Sequence, residues 1–90
     1  MEFQQETTRI YLPDEAGHTL AEVTFCGAGS GAVCIDHTYV SDTLRGQGMA
    51  GELLRAAADR FRAEGVKVIP QCSYAVKWFE EHPEERDLLK

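Results

Sequence analysis

Segment 44–51, with the sequence LRGQGMAG, places three glycines and one arginine immediately before an amphipathic stretch. The N-terminus of a helix carries unsatisfied backbone N–H groups and a partial positive charge, and glycines let an anion reach those groups without meeting a Cβ. An arginine in such a loop can add a charge-assisted contact. The spacing therefore predicts a binding site for a phosphate or pyrophosphate group.

Two familiar glycine loops fit this segment poorly. A Walker loop ends in Gly-Lys-Ser/Thr, and neither lysine nor serine follows these glycines. The dinucleotide fingerprint G-x-G-x-x-G matches as letters from Gly46 through Gly48 to Gly51, but no acidic residue closes a second strand about 20 residues further on. A third pattern fits better, because Arg45-x-x-Gly48-x-Ala50 lies directly between an extended segment and a helix.

This third pattern resembles the acetyl-coenzyme A signature Q/R-x-x-G-x-G/A of the GNAT superfamily of N-acetyltransferases, and Arg45-Gly46-Gln47-Gly48 is similar to its R-G-x-G variant. Three further segments resemble the small, single-domain GNAT-like proteins: His37-Thr38-Tyr39-Val40 before the loop, Val68-Ile69-Pro70-x-Cys72 after the helix, and His82-Pro83 near the end. The resemblance covers residues 31–90, whereas residues 1–30 match only as generic strands.

The resemblance implies one GNAT-like domain over residues 1–90, with a minimal α/β fold, a mostly antiparallel sheet and a β-α-β crossover at the acetyl-CoA loop. In such folds the two parallel strands splay apart, and the pantetheine arm of the cosubstrate enters the gap. The implied cosubstrate is acetyl-CoA. The residues expected to bind it are Thr38, Tyr39, Val40, Arg45, Gly46, Gln47, Gly48, Met49, Ala50, Gly51 and His82, with the amides of 47–51 on the pyrophosphate.

The alternation of polar and apolar residues predicts the strands that support the loop. Residues 8–12 and 19–25 are expected to form a hairpin, because a Pro-Asp-Glu-Ala-Gly turn separates them. Residues 32–40 follow a glycine-rich turn and predict a third strand that leads straight into the loop. Residues 66–69 predict a short buried strand that ends at Pro70.

Helical spacing of apolar residues predicts a helix from about Gly48 to Glu64, with Gly65 as its stop. A last helix is expected to begin near Ser73 and to be interrupted by Pro83. The order β-β-β-α-β-α then makes the fourth strand parallel to the third through a helical crossover.

Three side chains are candidates for catalysis. Cys72 precedes a helix, whose N-terminus favours a thiolate, although a small buried residue is the alternative. His37 is of a type that exchanges protons near neutral pH and suits a general base, and a histidine held by a backbone partner is equally compatible. Tyr74, like Tyr39, could protonate the departing coenzyme A thiolate, as tyrosines do in many GNAT enzymes. Packing is the simpler role for both tyrosines.

Other residues of these types are expected to be structural. Cys26 and Cys34 lie inside predicted strands and are interpreted as packing residues, and Trp78 is interpreted as core. His82 is expected to fix the last turn of the chain, although the resemblance also places it near the cosubstrate.

Composition limits the possible partners. The chain has 90 residues, of which 43% are hydrophobic, and a formal net charge of −6, so it lacks the basic surface that nucleic acid requires. No apolar run approaches the roughly 20 residues of a membrane span, and we expect no membrane partner. Three cysteines without metal-ligand spacing predict free thiols and no metal site. With an N-terminus unlike a signal peptide, a cytoplasmic location is expected.

The sequence therefore predicts an acetyl-CoA-dependent N-acetyltransferase that transfers an acetyl group to a primary amine of a small molecule or a protein. The alternative is a non-catalytic module that binds coenzyme A or acyl-CoA. That alternative rests on a difference from larger GNAT proteins, whose early helices and final strands build the acceptor site. A homodimer could complete such a site here.

Overall fold

The computed structural model describes residues 3–90, in which a five-stranded sheet carries two helices. The strands are β1 (Gln4–Gln5), β2 (Arg9–Pro13), β3 (Thr19–Gly27), β4 (Ala32–Val40) and β5 (Lys67–Pro70), and the helices are α1 (Met49–Glu64) and α2 (Ser73–Glu81). The strands follow sequence order across the sheet. Pairing is antiparallel from β1 to β4 and parallel between β4 and β5. The predicted α/β fold with a crossover through α1 is confirmed.

The structure adds elements that the periodicity did not predict. Strand β1 contains only two glutamines, so it shows no alternation of polar and apolar residues. It is a strand because it pairs with β2. A 3-10 turn at Asp42–Leu44 precedes the glycine loop, and a second one covers Pro83–Leu88. Pro83 therefore ends α2 and also begins the next element, because its fixed φ suits the first position of a helical turn.

The core lies between α1 and one face of the sheet. Ala21, Val23 and Phe25 alternate onto this face, as predicted, and are 4% exposed or less. Phe25 meets Phe61 of α1 edge to face, with ring centroids 4.9 Å apart. Cys26 has the opposite orientation and is exposed, so the prediction that it packs is wrong. Its position next to the end of β3, on the sheet face away from α1, explains the difference.

The two parallel strands separate halfway along β4. Their pairing ends at Ile35↔Pro70, whereas β4 continues to Val40. The β3–β4 register shifts at the same point, which leaves Asp36 as an extra residue in β4. The Ile35 carbonyl accepts hydrogen bonds from the N–H groups of Gln71 (2.9 Å) and Cys72 (3.2 Å). The chain thus leaves the sheet and enters α2 while it is still attached to β4.

Ion pairs and a short bridge hold the C-terminal segment in place. The Arg62 guanidinium of α1 donates to both oxygens of Asp87, at 2.6 and 3.1 Å, and to Glu85 at 2.9 Å. Beyond these carboxylates, Leu89 forms a parallel bridge with Val68 of β5. The segment therefore joins the end of α1 to the free edge of β5.

These ion pairs should make the stability of the protein sensitive to acid. Hydrogen bonds from Arg62, supplemented by Arg55, hold the pKa of Glu85 below its ordinary value, and Arg62 does the same for the pKa of Asp87. Since these carboxyls bind protons more weakly in the native state than in the unfolded chain, the unfolded chain gains protons first as the pH falls. Their contribution is present above about pH 4 and is lost below it.

Glu85→Gln should therefore lower the free energy of unfolding at pH 7 and make its decline between about pH 5 and pH 2 less steep. Urea denaturation at several pH values measures both effects. Glu84→Gln is the matched control, because the Glu84 side chain is 58% exposed and only its 3.8 Å contact with Arg55 would be lost. Equal acid sensitivity of the two variants would contradict the assignment.

Candidate functional site

The glycine loop presents the start of α1 to solvent. Gly46 and Gly48 have φ angles of 82° and 75°, which favour glycine, and Gly48 is the residue before the helix. The Gly48 carbonyl accepts from Glu52 N–H at 3.1 Å, as the first bond of α1. The N–H groups of Met49, Ala50 and Gly51 then have no earlier helical carbonyl to bind. These three donors at the start of α1 are therefore left without a partner in the helix.

A cleft of about 290 Å³ opens over this loop. It is lined by Val40, Leu44, Arg45, Gly46, Gly48, Met49, Ala50, Gly51 and Tyr74. Most of the predicted cosubstrate-binding residues therefore share one surface, and Tyr74 of α2 faces them. Met49 contributes only backbone, because its side chain belongs to the core and is 2% exposed.

Gly51 occupies a special position within α1. Its φ lies outside the left-handed region, and a Cβ built on it would meet nothing within 4 Å. Neither backbone geometry nor packing within the chain therefore requires glycine here, although glycine in a helix costs about 0.5–1 kcal/mol relative to alanine. Gly51 borders the cleft over the loop and two further depressions beside it.

One of these depressions, of about 190 Å³, separates the start of α1 from α2. On the α2 side it is lined by Tyr74, Lys77, Trp78 and Glu81. Neither Lys77 nor Glu81 is among the residues that the sequence predicts at the site. Their i, i+3, i+4, i+7 spacing with Tyr74 and Trp78 is the signal that could have found them, since it places all four on one stripe of a helix.

His82 lies beside the loop and also closes α2. Its ring stacks on Trp78 with centroids 4.2 Å apart, and Nδ1 lies 2.7 Å from the Trp78 carbonyl oxygen. Because a carbonyl only accepts, Nδ1 carries the proton in this bond. The guanidinium of Arg55 lies 5.0 Å from the Trp78 ring. His82 shares a groove of about 440 Å³ with Gly48 and Gly51.

Cys72 lies where β4 and β5 separate. It is the residue before α2, and its Sγ accepts from the Ala75 N–H at 3.4 Å. The Thr38 hydroxyl lies 3.2 Å from the same sulfur. Thr38 is itself 6% exposed, so this hydroxyl has few other partners. The Cys72 thiol is therefore half-buried at the N-terminus of α2, and it contacts β4, the strand that leads into the glycine loop.

His37 and Tyr39 lie on the other face of the sheet. Their register partners are Thr24 and Glu22, whereas Thr38 is opposite the core residue Val23. Both side chains are exposed. The fold therefore brings Thr38, rather than His37, to Cys72.

The side chains of the loop are partly engaged within the turn. Arg45 pairs with Asp42 at 3.3 Å while its side chain remains 64% exposed, and the Gln47 amide donates to the Thr43 carbonyl at 3.4 Å. Over residues 3–90, no group of three or more histidine, cysteine or acidic side chains is placed to hold a metal ion. In the same residues neither helix is both long and apolar enough to cross a bilayer.

Comparison with protein families identifies the class to which this fold and loop belong. The family model described as GCN5-related N-acetyl-transferase matches residues 9–88. The chain belongs to this family. The matched region contains the glycine loop, Cys72 and His82, but it assigns no role to any of them.

Individual relatives support this assignment. The NMR solution structure of a proposed GCN5-like N-acetyltransferase from Staphylococcus aureus superimposes with a TM-score of 0.83 at 34% identity, covering 99% of this chain and 87% of that one. A proposed acetyl transferase from Pyrococcus furiosus has a TM-score of 0.66 at 26% identity, covering 88% and 59%. Protein NATD1 of Xenopus tropicalis is 35% identical over 66 residues, which are 73% of this chain but only 61% of NATD1.

The contact between Thr38 and Cys72 predicts how Cys72 reacts. Thr38→Val keeps the volume of the side chain and removes the hydroxyl that contacts the Cys72 sulfur. Because the attacking sulfur loses this hydrogen bond, we expect alkylation of Cys72 by iodoacetamide to slow by about fivefold, equivalent to about 1 kcal/mol. Mass spectrometry of the peptide that contains Cys72 measures the rate.

Thr24→Val is the matched control, because the Thr24 hydroxyl bonds to Asp36 on the other face of the sheet, at 2.6 Å. If both variants leave the alkylation rate of Cys72 unchanged, the Thr38 hydroxyl does not affect the reactivity of the Cys72 sulfur.

Proposed function

We propose that this protein is an acetyl-CoA-dependent N-acetyltransferase whose acceptor is a primary amine. The observation that carries the proposal is Gly51, a helical glycine that costs stability without any requirement inside the chain. Such a residue is explained when a ligand approaches the backbone closely. Gly46 and Gly48 beside it also have no neighbouring atom within 4 Å of where a Cβ would be.

The described residues fit the cosubstrate in three places. The amides of residues 47–51 suit the two phosphates of coenzyme A, because a helix N-terminus favours negative charge. The gap between β4 and β5 suits the pantetheine arm, beside Thr38 and Val40. Tyr74 and His82 each line a depression that Gly51 also borders, and they suit further contacts with the bound molecule.

Acetyl-CoA would supply an acetyl group activated as a thioester. In the simplest route the amine nitrogen attacks the thioester carbon and the bond from that carbon to sulfur breaks. Tyr74 protonates the leaving thiolate, and the proton that the amine nitrogen loses returns through solvent to the Tyr74 phenolate. In the variant route the sulfur of Cys72 attacks first and carries the acetyl group to the amine. The N–H of Ala75 and the hydroxyl of Thr38 are in place to stabilise the Cys72 thiolate in that route.

Replacing Gly51 separates binding from folding. Gly51→Ala should stabilise the protein by about 0.5–1 kcal/mol, because alanine is the better helix residue. The same methyl group should weaken binding of coenzyme A by about tenfold, equivalent to about 1.4 kcal/mol. Thermal unfolding and calorimetric titration with coenzyme A and acetyl-CoA measure the two effects.

Gly65→Ala is the control, because Gly65 ends the same helix with a φ of 72° and lies far from the loop. It should destabilise the protein and leave binding unchanged. No binding of either ligand by the unmodified protein would overturn the proposal together with its non-catalytic alternative. If Gly51→Ala leaves the affinity for coenzyme A unchanged, the pyrophosphate does not bind at this loop.

The role of Cys72 can be tested separately. If the acetyl group passes through Cys72, Cys72→Ala should abolish single-turnover transfer of the acetyl group while coenzyme A still binds, because the sulfur acts only in the chemical step. Cys26→Ala is the control, since Cys26 is exposed on the far face of the sheet. Rapid-quench measurement of acetylated amine gives the readout, and unchanged transfer by the Cys72 variant would leave direct attack as the route.

A non-catalytic module that binds coenzyme A or acyl-CoA is the second candidate. One observation favours it: among residues 3–90, the contacts of the Cys72 sulfur are a hydroxyl and an amide, with no imidazole or carboxylate bonded to it. A second copy of the chain could supply the missing base and complete an acceptor pocket. Micromolar binding without transfer to any amine of a diverse panel would favour the module.

A further inference from the structure

Cys26 and Cys34 lie directly opposite each other on β3 and β4. The N–H of Phe25 bonds to Thr8 at 2.9 Å, so the backbone of Phe25 faces β2 and that of its neighbour Cys26 faces β4. The two cysteines are therefore a hydrogen-bonded cross-strand pair, whose Cα atoms lie about 5.5 Å apart. Their side chains share the sheet face away from α1, because Phe25 and Ile35 occupy the other face.

The two thiols differ in access. Cys26 is exposed, whereas Cys34 is 5% exposed. Burial raises the pKa of the Cys34 thiol, and the adjacent Cys26 and Asp36 raise it further. A reagent in solution therefore reaches Cys26 before it reaches Cys34. The sulfur of Cys72 contacts Thr38, which faces α1, and Cys72 makes a smaller contribution to the raised pKa of Cys34.

We infer that Cys26 and Cys34 form an oxidation site, in which a hydroperoxide oxidises the exposed Cys26 and Cys34 then closes a cross-strand disulfide. In the first step the sulfur of Cys26 attacks the peroxide, the O–O bond breaks, and Cys26 becomes a sulfenic acid as the alcohol or water leaves. In the second step the sulfur of Cys34 displaces the sulfenic oxygen, which departs as water with the Cys34 proton. Two thiols are oxidised and one peroxide is reduced.

The geometry of the strands makes this bond reversible. A Cα separation of about 5.5 Å lies within the disulfide range, but the Cβ atoms of a cross-strand pair are about 4.5–5.5 Å apart, slightly more than the 3.5–4.5 Å of a disulfide. A disulfide closed across that difference would be strained, and strained disulfides are reduced more easily.

The protein itself offers a clean assay. Between Arg9 and Arg45 the sequence contains no lysine or arginine, so trypsin releases Cys26 and Cys34 on one peptide, whereas Cys72 falls on another. The full chain is treated with hydrogen peroxide, blocked with iodoacetamide, digested without reduction and analysed by mass spectrometry. The expected product is a 10–45 peptide that is two hydrogens lighter, carries no alkyl group, and gains two alkylation sites after mild reduction.

Variants distinguish this site from general oxidation. Cys26→Ser and Cys34→Ser should each abolish the lighter peptide, and in Cys34→Ser the remaining Cys26 should proceed to the sulfinic acid. Cys72→Ser should leave the lighter peptide unchanged. The inference is overturned if the wild-type 10–45 peptide keeps two alkylatable thiols while Cys26 accumulates higher oxides in Cys34→Ser, or if its disulfide links the peptide to that of Cys72.

Discussion

The arrangement of the site depends on one backbone acceptor, the carbonyl of Ile35. It receives two N–H donors at the point where β5 stops pairing with β4, so it fixes both where the gap opens and where α2 begins. Cys72 is one of those donors, and the same residue places its sulfur against the Thr38 hydroxyl. Thr38 lies two residues after Asp36, the extra residue of β4. This shared carbonyl therefore sets the start of α2 relative to β4.

The two ends of helix α1 differ in how well they are stabilised. At its first residues it has a glycine before the helix, no side-chain cap and a second glycine within the first turn. At its last residues it has Gly65 in the left-handed conformation and Arg62 bonded to two carboxylates. Stabilising features are thus concentrated at the end away from the cleft, and the amides at the other end have no side-chain cap.

Local patterns were sufficient to predict most of the fold. Glycine spacing marked the loop, helical periodicity marked α1, and Pro70 and Gly65 marked where their elements end. Each of these signals depends only on residues that are close together in the chain, so it can be recognised in a single sequence. The two-residue strand β1 has no such signal, because only its pairing with β2 makes it a strand.

The arrangement of the site was harder to predict, because it depends on contacts that are distant in sequence. One extra residue in β4 decides which neighbouring side chains face α1, and it therefore separates His37 from Cys72. The exposure of Cys26 depends in the same way on which face of the sheet α1 covers. The stacking of His82 on Trp78 follows only once the last turn of α2 is known.

The bridge between Leu89 and Val68 limits how the sheet can grow. The backbone of β5 on that side is occupied by Leu89 and by the N–H of Lys90, which donates to the Val68 carbonyl at 3.0 Å. An incoming chain would have to peel away a segment that Arg62 anchors through Asp87 before it could add as a neighbouring strand. The fold thereby guards this flank against edge-to-edge aggregation, a hazard of open sheets.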